Sequence, residues 1–201
     1  MNLRPLMALG LTAGLLGGCD EVSVASLVGL FPAGALPAMR WDARAEAASW
    51  TTRAMAAVAR HDGELAARVP ADIAVFCPQY AKAPVQDRRA FWVGLLSATA
   101  RHESSFNPRA SGGGGRYVGL MQISPASARL AGCEARSSTA LRDGAANLEC
   151  AVRIMAPKVA ADGVVAGRGN RGIGRDWGPF STATDRREIA AWTSAQDYCR
   201  V

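Results

Sequence analysis

The chain has 201 residues, of which 49% are hydrophobic and 20% are charged. This length and balance favour one globular domain and exclude a chain that is disordered throughout. The 23 Lys and Arg outnumber the 17 Asp and Glu, giving a net charge of +6, which favours an anionic polymer or a membrane surface as a partner. The 5 cysteines are an odd number, so an exported protein would leave one of them without a disulfide partner.

The N-terminus accounts for the odd cysteine. The sequence begins MNLRPLMALGLTAGLLGGCD, with one Arg, an apolar run over residues 6–16 and small residues before Cys19. The run is shorter than the ~20 residues that span a bilayer, and the arrangement is typical of a secretory signal. The segment Leu16-Gly17-Gly18-Cys19 resembles the lipobox of bacterial lipoproteins.

The lipobox resemblance implies that residues 1–18 are removed and that Cys19 carries lipid. The alternative is an ordinary signal peptide cleaved near an Ala or Gly. Either segment predicts export, and the lipobox predicts a periplasmic protein that is lipid-anchored to a bacterial membrane. Asp20 resembles the signal that keeps some lipoproteins in the inner membrane, but other bacteria read that position differently, so inner and outer membrane both stay open.

The rest of the chain is predicted to be a tether, residues 19–39, and one domain, residues 40–201. The tether is rich in Gly and Pro and has no sustained period. Helical spacing, capping residues and prolines predict the helices of the domain: 41–61, 64–69, 73–82 with Asp72 as cap, 87–104, 125–130 with Ser124 as cap, 144–155 with Asp143 as cap, and 186–199 with Asp185 as cap. Residues 111–115, SGGGG, are predicted to be a loop. With no strand-like alternation, the fold class is all-α.

Four cysteines remain for disulfides, and they permit three pairings: Cys77, Cys133, Cys150 and Cys199. Pairing Cys133 with Cys150 closes a short loop and leaves Cys77 for Cys199, which ties the C-terminal segment to the middle of the chain. A metal site is the competing use, but the sequence has no CxxC pair, and His61 and His102 are not at ligand spacing from the cysteines. The sequence therefore predicts disulfides and neither a metal nor a cofactor.

Glu103 is the candidate catalytic residue. It shares one face of the predicted helix with Thr99, Leu96 and Trp92, so its carboxyl group leaves the last turn of a core-facing stripe. Loss of hydration raises the pKa of a carboxyl group and keeps it protonated near neutral pH, as a general acid requires. The alternative is an ordinary surface acid paired with a neighbouring Arg. His102 is predicted to point elsewhere, exposed to solvent.

Three motifs in chain order decide between these interpretations. They are ESSFNP at 103–108, GLMQISP at 119–125 and Asn147-Leu148 in a following helix. Over residues 88–157 the chain resembles the soluble lytic transglycosylase (SLT) domain, which cleaves bacterial peptidoglycan on a lysozyme-like helical fold.

The resemblance implies that Glu103 is the sole catalytic acid and base, and that Ser104 orients it or the substrate. It also implies that the GLMQ segment lines a sugar groove, through Gly119, Leu120, Met121 and Gln122. Asn147 lies in the helix that supports this groove, either binding substrate or acting as a structural residue.

One family motif is absent. The family usually has a third motif with a Tyr-Asn pair, whose tyrosine reaches the catalytic glutamate, and the segment RDWGPF at 175–180 occupies about that place. Trp177 would then be a sugar platform or a core residue. Tyr117 and, less directly, Tyr198 are the other candidates for a hydroxyl group near Glu103.

The family chemistry implies cleavage of the bond between N-acetylmuramic acid and N-acetylglucosamine in peptidoglycan glycan strands, with formation of a 1,6-anhydro sugar. One alternative is lysozyme-like hydrolysis with a second carboxylate such as Asp143. Another is a peptidoglycan-binding envelope lipoprotein without activity. The chain is predicted to be a monomer and to bind no nucleic acid, because it lacks interleaved basic and aromatic residues.

Overall fold

The computed structural model describes residues 36–200. The predicted signal peptide, Cys19 and the tether up to residue 35 lie outside the described residues. Six helices follow in order: α1 (Ala47–Ala59), α2 (Ile73–Phe76), α3 (Val85–Ser104), α4 (Pro125–Leu130), α5 (Gly144–Asp162) and α6 (Ala183–Ser194). The two strands are β1 (Ser111–Gly112) and β2 (Tyr117–Val118). The predicted helical class and the lysozyme-like organisation are confirmed.

Helix α3 runs through the middle of the domain. Every residue from Ala90 to Ala100 is buried, which is typical of a helix with partners on all sides. Helix α1 packs against α3 and α5, whereas α6 packs against α3 and α2. Contacts with this core begin at Met39, which is buried. Among residues 36–200, no helix has the length and apolar character needed to cross a membrane.

Both predicted disulfides are present. Cys133 is bonded to Cys150, which joins the segment after α4 to α5. Cys77 is bonded to Cys199, which joins the end of α2 to the C-terminal segment. By the chain-entropy model, closing loops of this kind stabilises the fold by about 3–5 kcal/mol each.

Two of the predicted capping residues are confirmed. The Ser124 hydroxyl accepts a hydrogen bond from the Ser127 amide at 3.0 Å, and the Asp143 carboxylate accepts one from the Ala146 amide at 2.8 Å. Each satisfies a backbone N–H that the helix itself leaves unpaired. Pro157 does not end α5, which continues to Asp162.

Other sequence predictions were wrong. Residues 64–69 form turns rather than a helix. Asp72 does not cap α2; its carboxylate instead accepts hydrogen bonds from three consecutive amides, at residues 165–167. Asp185 lies in the first turn of α6 and is not its N-cap, which is Thr182.

The glycine-rich segment is also more regular than predicted. Ser111 and Gly112 pair antiparallel with Val118 and Tyr117, and Gly113–Gly115 form a single 3-10 turn between the strands. All three glycines of that turn have positive φ, which side chains other than Gly adopt at a cost. The segment is therefore a tight hairpin that follows the end of α3.

Candidate functional site

Glu103 lies in the last turn of α3, next to the last helical residue, Ser104. The three residues that were predicted to share its face, Trp92, Leu96 and Thr99, are fully buried. The Glu103 carboxyl group therefore leaves the helix where its buried face reaches the surface, and the residue is only half-buried.

Burial of its carboxyl group raises the pKa of Glu103 from 4.5 to about 7, against a smaller lowering by the charge that His102 can carry. The cause is desolvation, which disfavours the carboxylate. Within residues 36–200, no hydrogen bond or ion pair stabilises the charged form. A carboxyl group of this kind can donate a proton near neutral pH and accept one afterwards.

His102 turns away from Glu103, as predicted. Its Nε2 lies 2.8 Å from Oε2 of Glu188, and its Nδ1 lies 3.8 Å from Oδ1 of Asp185. Glu188 is also paired with Arg40. These contacts attach the end of α3 to α6 and to the N-terminal segment. They therefore fix the helix turn that bears Glu103.

Backbone strain is concentrated around Glu103 and the GLMQ segment. In the described part of the chain, the residues other than Gly with positive φ are Ser105 (51°), Phe106 (63°) and Gln122 (47°). Each such residue costs about 1–2 kcal/mol. Since residues in this conformation often lie at functional sites, the distribution supports a site between the end of α3 and Gln122.

Asn147, in α5, holds the backbone of the GLMQ segment through its side-chain amide. Its side chain is fully buried; Oδ1 accepts a hydrogen bond from the Met121 amide at 2.9 Å, and Nδ2 donates to the carbonyl oxygens of Val118 and Leu141, both at 3.0 Å. With its amide used in this way, Asn147 is a positioning residue. Its predicted substrate contact was wrong, and the structural alternative is correct.

Two of the residues predicted to line the groove do not present their side chains to it. Leu120 and Met121 are fully buried in the core, so their side chains have no surface available to a sugar. Of the GLMQ segment, the backbone and the neighbouring residues are what can face a ligand.

Gln122 and Tyr117 are accessible polar residues in and beside the GLMQ segment. Gln122 is half-buried, and its Nε2 donates to the Gly119 carbonyl oxygen at 2.9 Å. Tyr117 is 41% exposed and packs its ring near Gly113. They line a small notch of about 50 Å³ that sequence reasoning missed, with these other residues: Ile123, Ser124, Ser127, Ile154, Asp176 and Trp177.

The Ser104 hydroxyl group is engaged within its own helix. Its hydroxyl group donates to the Ala100 carbonyl oxygen of its own helix at 3.2 Å. Tyr198 is nearly buried and donates to the Ala38 carbonyl oxygen at 3.3 Å. It packs against Gly94, about 13 Å along the helix from Glu103, so its predicted role near the catalytic residue was wrong.

Trp177 is buried, with 3% of its surface exposed. Its Nε1 donates a hydrogen bond to the Met121 carbonyl oxygen at 2.8 Å. Of the two roles considered for Trp177, the structure fits the core residue and not an exposed sugar platform.

Asp143, the residue considered as a second carboxylate, and two further acidic residues have other contacts. Asp143 is occupied as the α5 cap. Glu149 pairs with Arg53 at 2.7 Å and, with Glu134, lines a separate cavity of about 510 Å³ between α1 and α5. Among residues 36–200, no three His, Cys, Asp or Glu side chains come together as a metal ion would require.

The comparisons with known proteins agree with this geometry. The transglycosylase SLT domain family matches residues 82–161, a range that includes Glu103, the GLMQ segment and Asn147. This part of the chain is a transglycosylase SLT domain. No curated protein matches the chain.

Solved structures extend the similarity beyond the SLT domain. The structure titled Bd0314 DslA wild-type form 2 aligns with a TM-score of 0.73 and 28% identity, covering 83% of this chain and 100% of that chain. A glutamate-to-glutamine mutant of DslA gives a TM-score of 0.74 and 29% identity over the same shares. The likeness therefore includes elements on both sides of the SLT domain.

Proposed function

We propose that this protein is a peptidoglycan lytic transglycosylase in which Glu103 is the only catalytic acid and base. The observation that carries the proposal is the position of this one carboxyl group, whose pKa of about 7 results from burial at the end of a core helix. The SLT domain supports the lytic transglycosylase family and a peptidoglycan substrate.

In the proposed reaction, Glu103 first protonates the glycosidic oxygen between N-acetylmuramic acid and N-acetylglucosamine. The muramyl acetamido group stabilises C1 as the leaving sugar departs. The Glu103 carboxylate then takes the proton of the muramyl C6 hydroxyl group, whose oxygen bonds to C1. The 1,6-anhydro sugar forms, no water is consumed, and Glu103 is again protonated.

The engagement of Asp143, the residue considered as a second carboxylate, in the N-cap of α5 supports this route over hydrolysis. Most glycosidases use two carboxylates on opposite sides of the bond. Asp143, the residue considered for this role, is committed to capping α5. A single group with a pKa near the working pH can act first as acid and then as base.

Mass spectrometry of muropeptides released by the purified protein tests the reaction type. We expect the muramyl ends to be lighter by one water than those produced by a lysozyme. Products that carry the additional water would contradict transglycosylation and favour the hydrolytic alternative. Asp143→Ser, which keeps an N-cap hydroxyl group but removes the carboxylate, is expected to leave the products unchanged.

We also propose that the mature protein begins at Cys19 and is lipid-anchored in the periplasm as a monomer. The lipobox resemblance and the two disulfides support this, because disulfides persist in oxidising compartments. Labelling of cells with a fatty-acid analogue is expected to mark the wild-type protein and not Cys19→Ser. Equal labelling of both, or of neither, would contradict the anchor without affecting the proposed catalysis.

A further inference from the structure

The backbone N–H and C=O groups of Met121 are held by two side chains from distant parts of the chain. Asn147 Oδ1 accepts a hydrogen bond from the Met121 N–H group at 2.9 Å. Trp177 Nε1 donates one to the Met121 carbonyl oxygen at 2.8 Å. Both contacts are buried. The two polar groups of Met121 are therefore fixed on opposite sides, one from α5 and one from the segment that precedes α6.

Gln122 depends on this arrangement because it follows directly in the chain. It has a φ of 47°, a conformation that an L-residue holds only when its surroundings impose it. The Met121 carbonyl oxygen belongs to the peptide bond that leads into Gln122. A change in the position of that oxygen would rotate the peptide bond and move the backbone N–H group of Gln122.

The backbone that leads into Trp177 is itself held by contacts with α5. The preceding residues are held by Asp162, whose carboxylate accepts hydrogen bonds from the Gly172 amide at 2.7 Å and from Arg175 Nε at 2.7 Å. Asp176, the immediate neighbour of Trp177, pairs with Lys158 of α5. The segment that carries Trp177 is thus attached to α5, and the indole N–H is bonded to the GLMQ segment.

We infer that Trp177 is a positioning residue for the glycan groove, which it serves through its indole N–H and not through its ring face. By bonding to the carbonyl oxygen that precedes Gln122, it fixes the strained Gln122 backbone. The role rests on the proposed function, because it assumes that Gln122 contacts a glycan.

Trp177→Phe tests this role, because it keeps an aromatic ring and removes the hydrogen bond to Met121. Trp41→Phe is the matched control: Trp41 is fully buried and donates its indole N–H to Thr51 at 3.0 Å, at the N-terminal end of the domain. Each variant loses one buried indole hydrogen bond, so we expect similar decreases in melting temperature.

Binding of chitotetraose, a β-1,4-linked tetramer of N-acetylglucosamine, separates positioning from stability. The titration uses proteins that also carry Glu103→Gln, so that nothing is cleaved. We expect the Kd to rise about tenfold in the Trp177→Phe protein, as loss of one good hydrogen bond predicts, and to stay unchanged in the Trp41→Phe protein. Equal Kd values for the two would overturn the role of Trp177.

A second measurement needs no tryptophan variant. Titration of ¹⁵N-labelled Glu103→Gln protein with chitotetraose is expected to shift the indole N–H signal of Trp177 and not that of Trp41. An unmoved Trp177 signal on saturation would overturn the inference. If chitotetraose does not bind at all, both this role and the proposed glycan groove fail. If chitotetraose binds but the two tryptophan variants have equal Kd values, the role of Trp177 fails and the proposed function stands.

Discussion

The side chain of Asn147 occupies the space in which residue 119 would carry a Cβ atom. A Cβ placed on Gly119 would lie 2.2 Å from Asn147 Nδ2 and 2.3 Å from the Leu141 carbonyl oxygen, and Gly119 has a φ of +85°. The glycine of the GLMQ segment therefore lets the backbone approach α5 closely enough for Asn147 to hold it. The close approach that Gly119 permits is therefore one between two parts of the protein.

Gly119→Ala is expected to lower the free energy of unfolding by several kcal/mol, because it adds a steric clash to an unfavourable φ. Gly115→Ala is the matched control, since Gly115 has a φ of +90° and no atom within 4 Å of the added carbon. It should cost only about 1–2 kcal/mol. Urea denaturation measures both, and equal losses would contradict the close contact with Asn147.

Asn147→Asp tests whether both ends of the buried amide are needed. The change keeps an acceptor for the Met121 amide but directs carboxylate oxygen at the carbonyl oxygens of Val118 and Leu141. We expect a loss of about 3–5 kcal/mol in stability, typical of an uncompensated buried charge. Asn107→Asp is the control, because Asn107 lies at an exposed turn where only Oδ1 is used. Thermal denaturation of both variants should show nearly unchanged stability for Asn107→Asp. A neutral result for Asn147→Asp would show that the amide donor is not required.

The raised pKa of Glu103 predicts a pH-dependent stability. The folded protein holds a proton on Glu103 up to about pH 7, whereas the unfolded chain releases it near 4.5, so stability falls as pH rises through that window. Glu103→Gln removes this loss. We expect the variant to gain up to about 3 kcal/mol over the wild-type protein at pH 8, reduced by solvent screening, and nothing at pH 4. A difference that is independent of pH would contradict the burial of the carboxyl group.

The same pKa predicts the pH dependence of catalysis. Because the first step needs protonated Glu103, kcat/KM for peptidoglycan release should decline as pH rises through about 7. Trp41→Phe should keep this profile, since Trp41 does not contact Glu103. A declining limb near pH 4.5, the pKa of an ordinary glutamate, would indicate that Glu103 is not desolvated in the active protein.

The local features of the fold could be predicted from the sequence. Glu103 was identified because helical spacing and the ESSFNP motif agree, and the Ser124 and Asp143 caps follow from side chains that bond within three residues. The disulfide pairing was correct because, once Cys133 is paired with the nearby Cys150, only Cys77 and Cys199 are left to pair.

Long-range hydrogen bonds could not be predicted. Asp72 binds amides more than 90 residues later, and Trp177 bonds to a carbonyl oxygen 56 residues earlier. Neither contact leaves a periodic signal. Motif resemblance likewise identified the GLMQ segment without indicating that Leu120 and Met121 turn inward, since a segment with positive φ does not follow helix or strand periodicity.

Release of soluble fragments from purified peptidoglycan by Glu103→Gln tests the central claim most directly. Glu134→Gln is the matched control, because this carboxyl group lines the separate cavity between α1 and α5. We predict that Glu103→Gln lowers the rate at least a hundredfold, the usual contribution of a general acid, and that it remains folded, while Glu134→Gln keeps the wild-type rate. Equal release by Glu103→Gln and the wild-type protein would contradict the account.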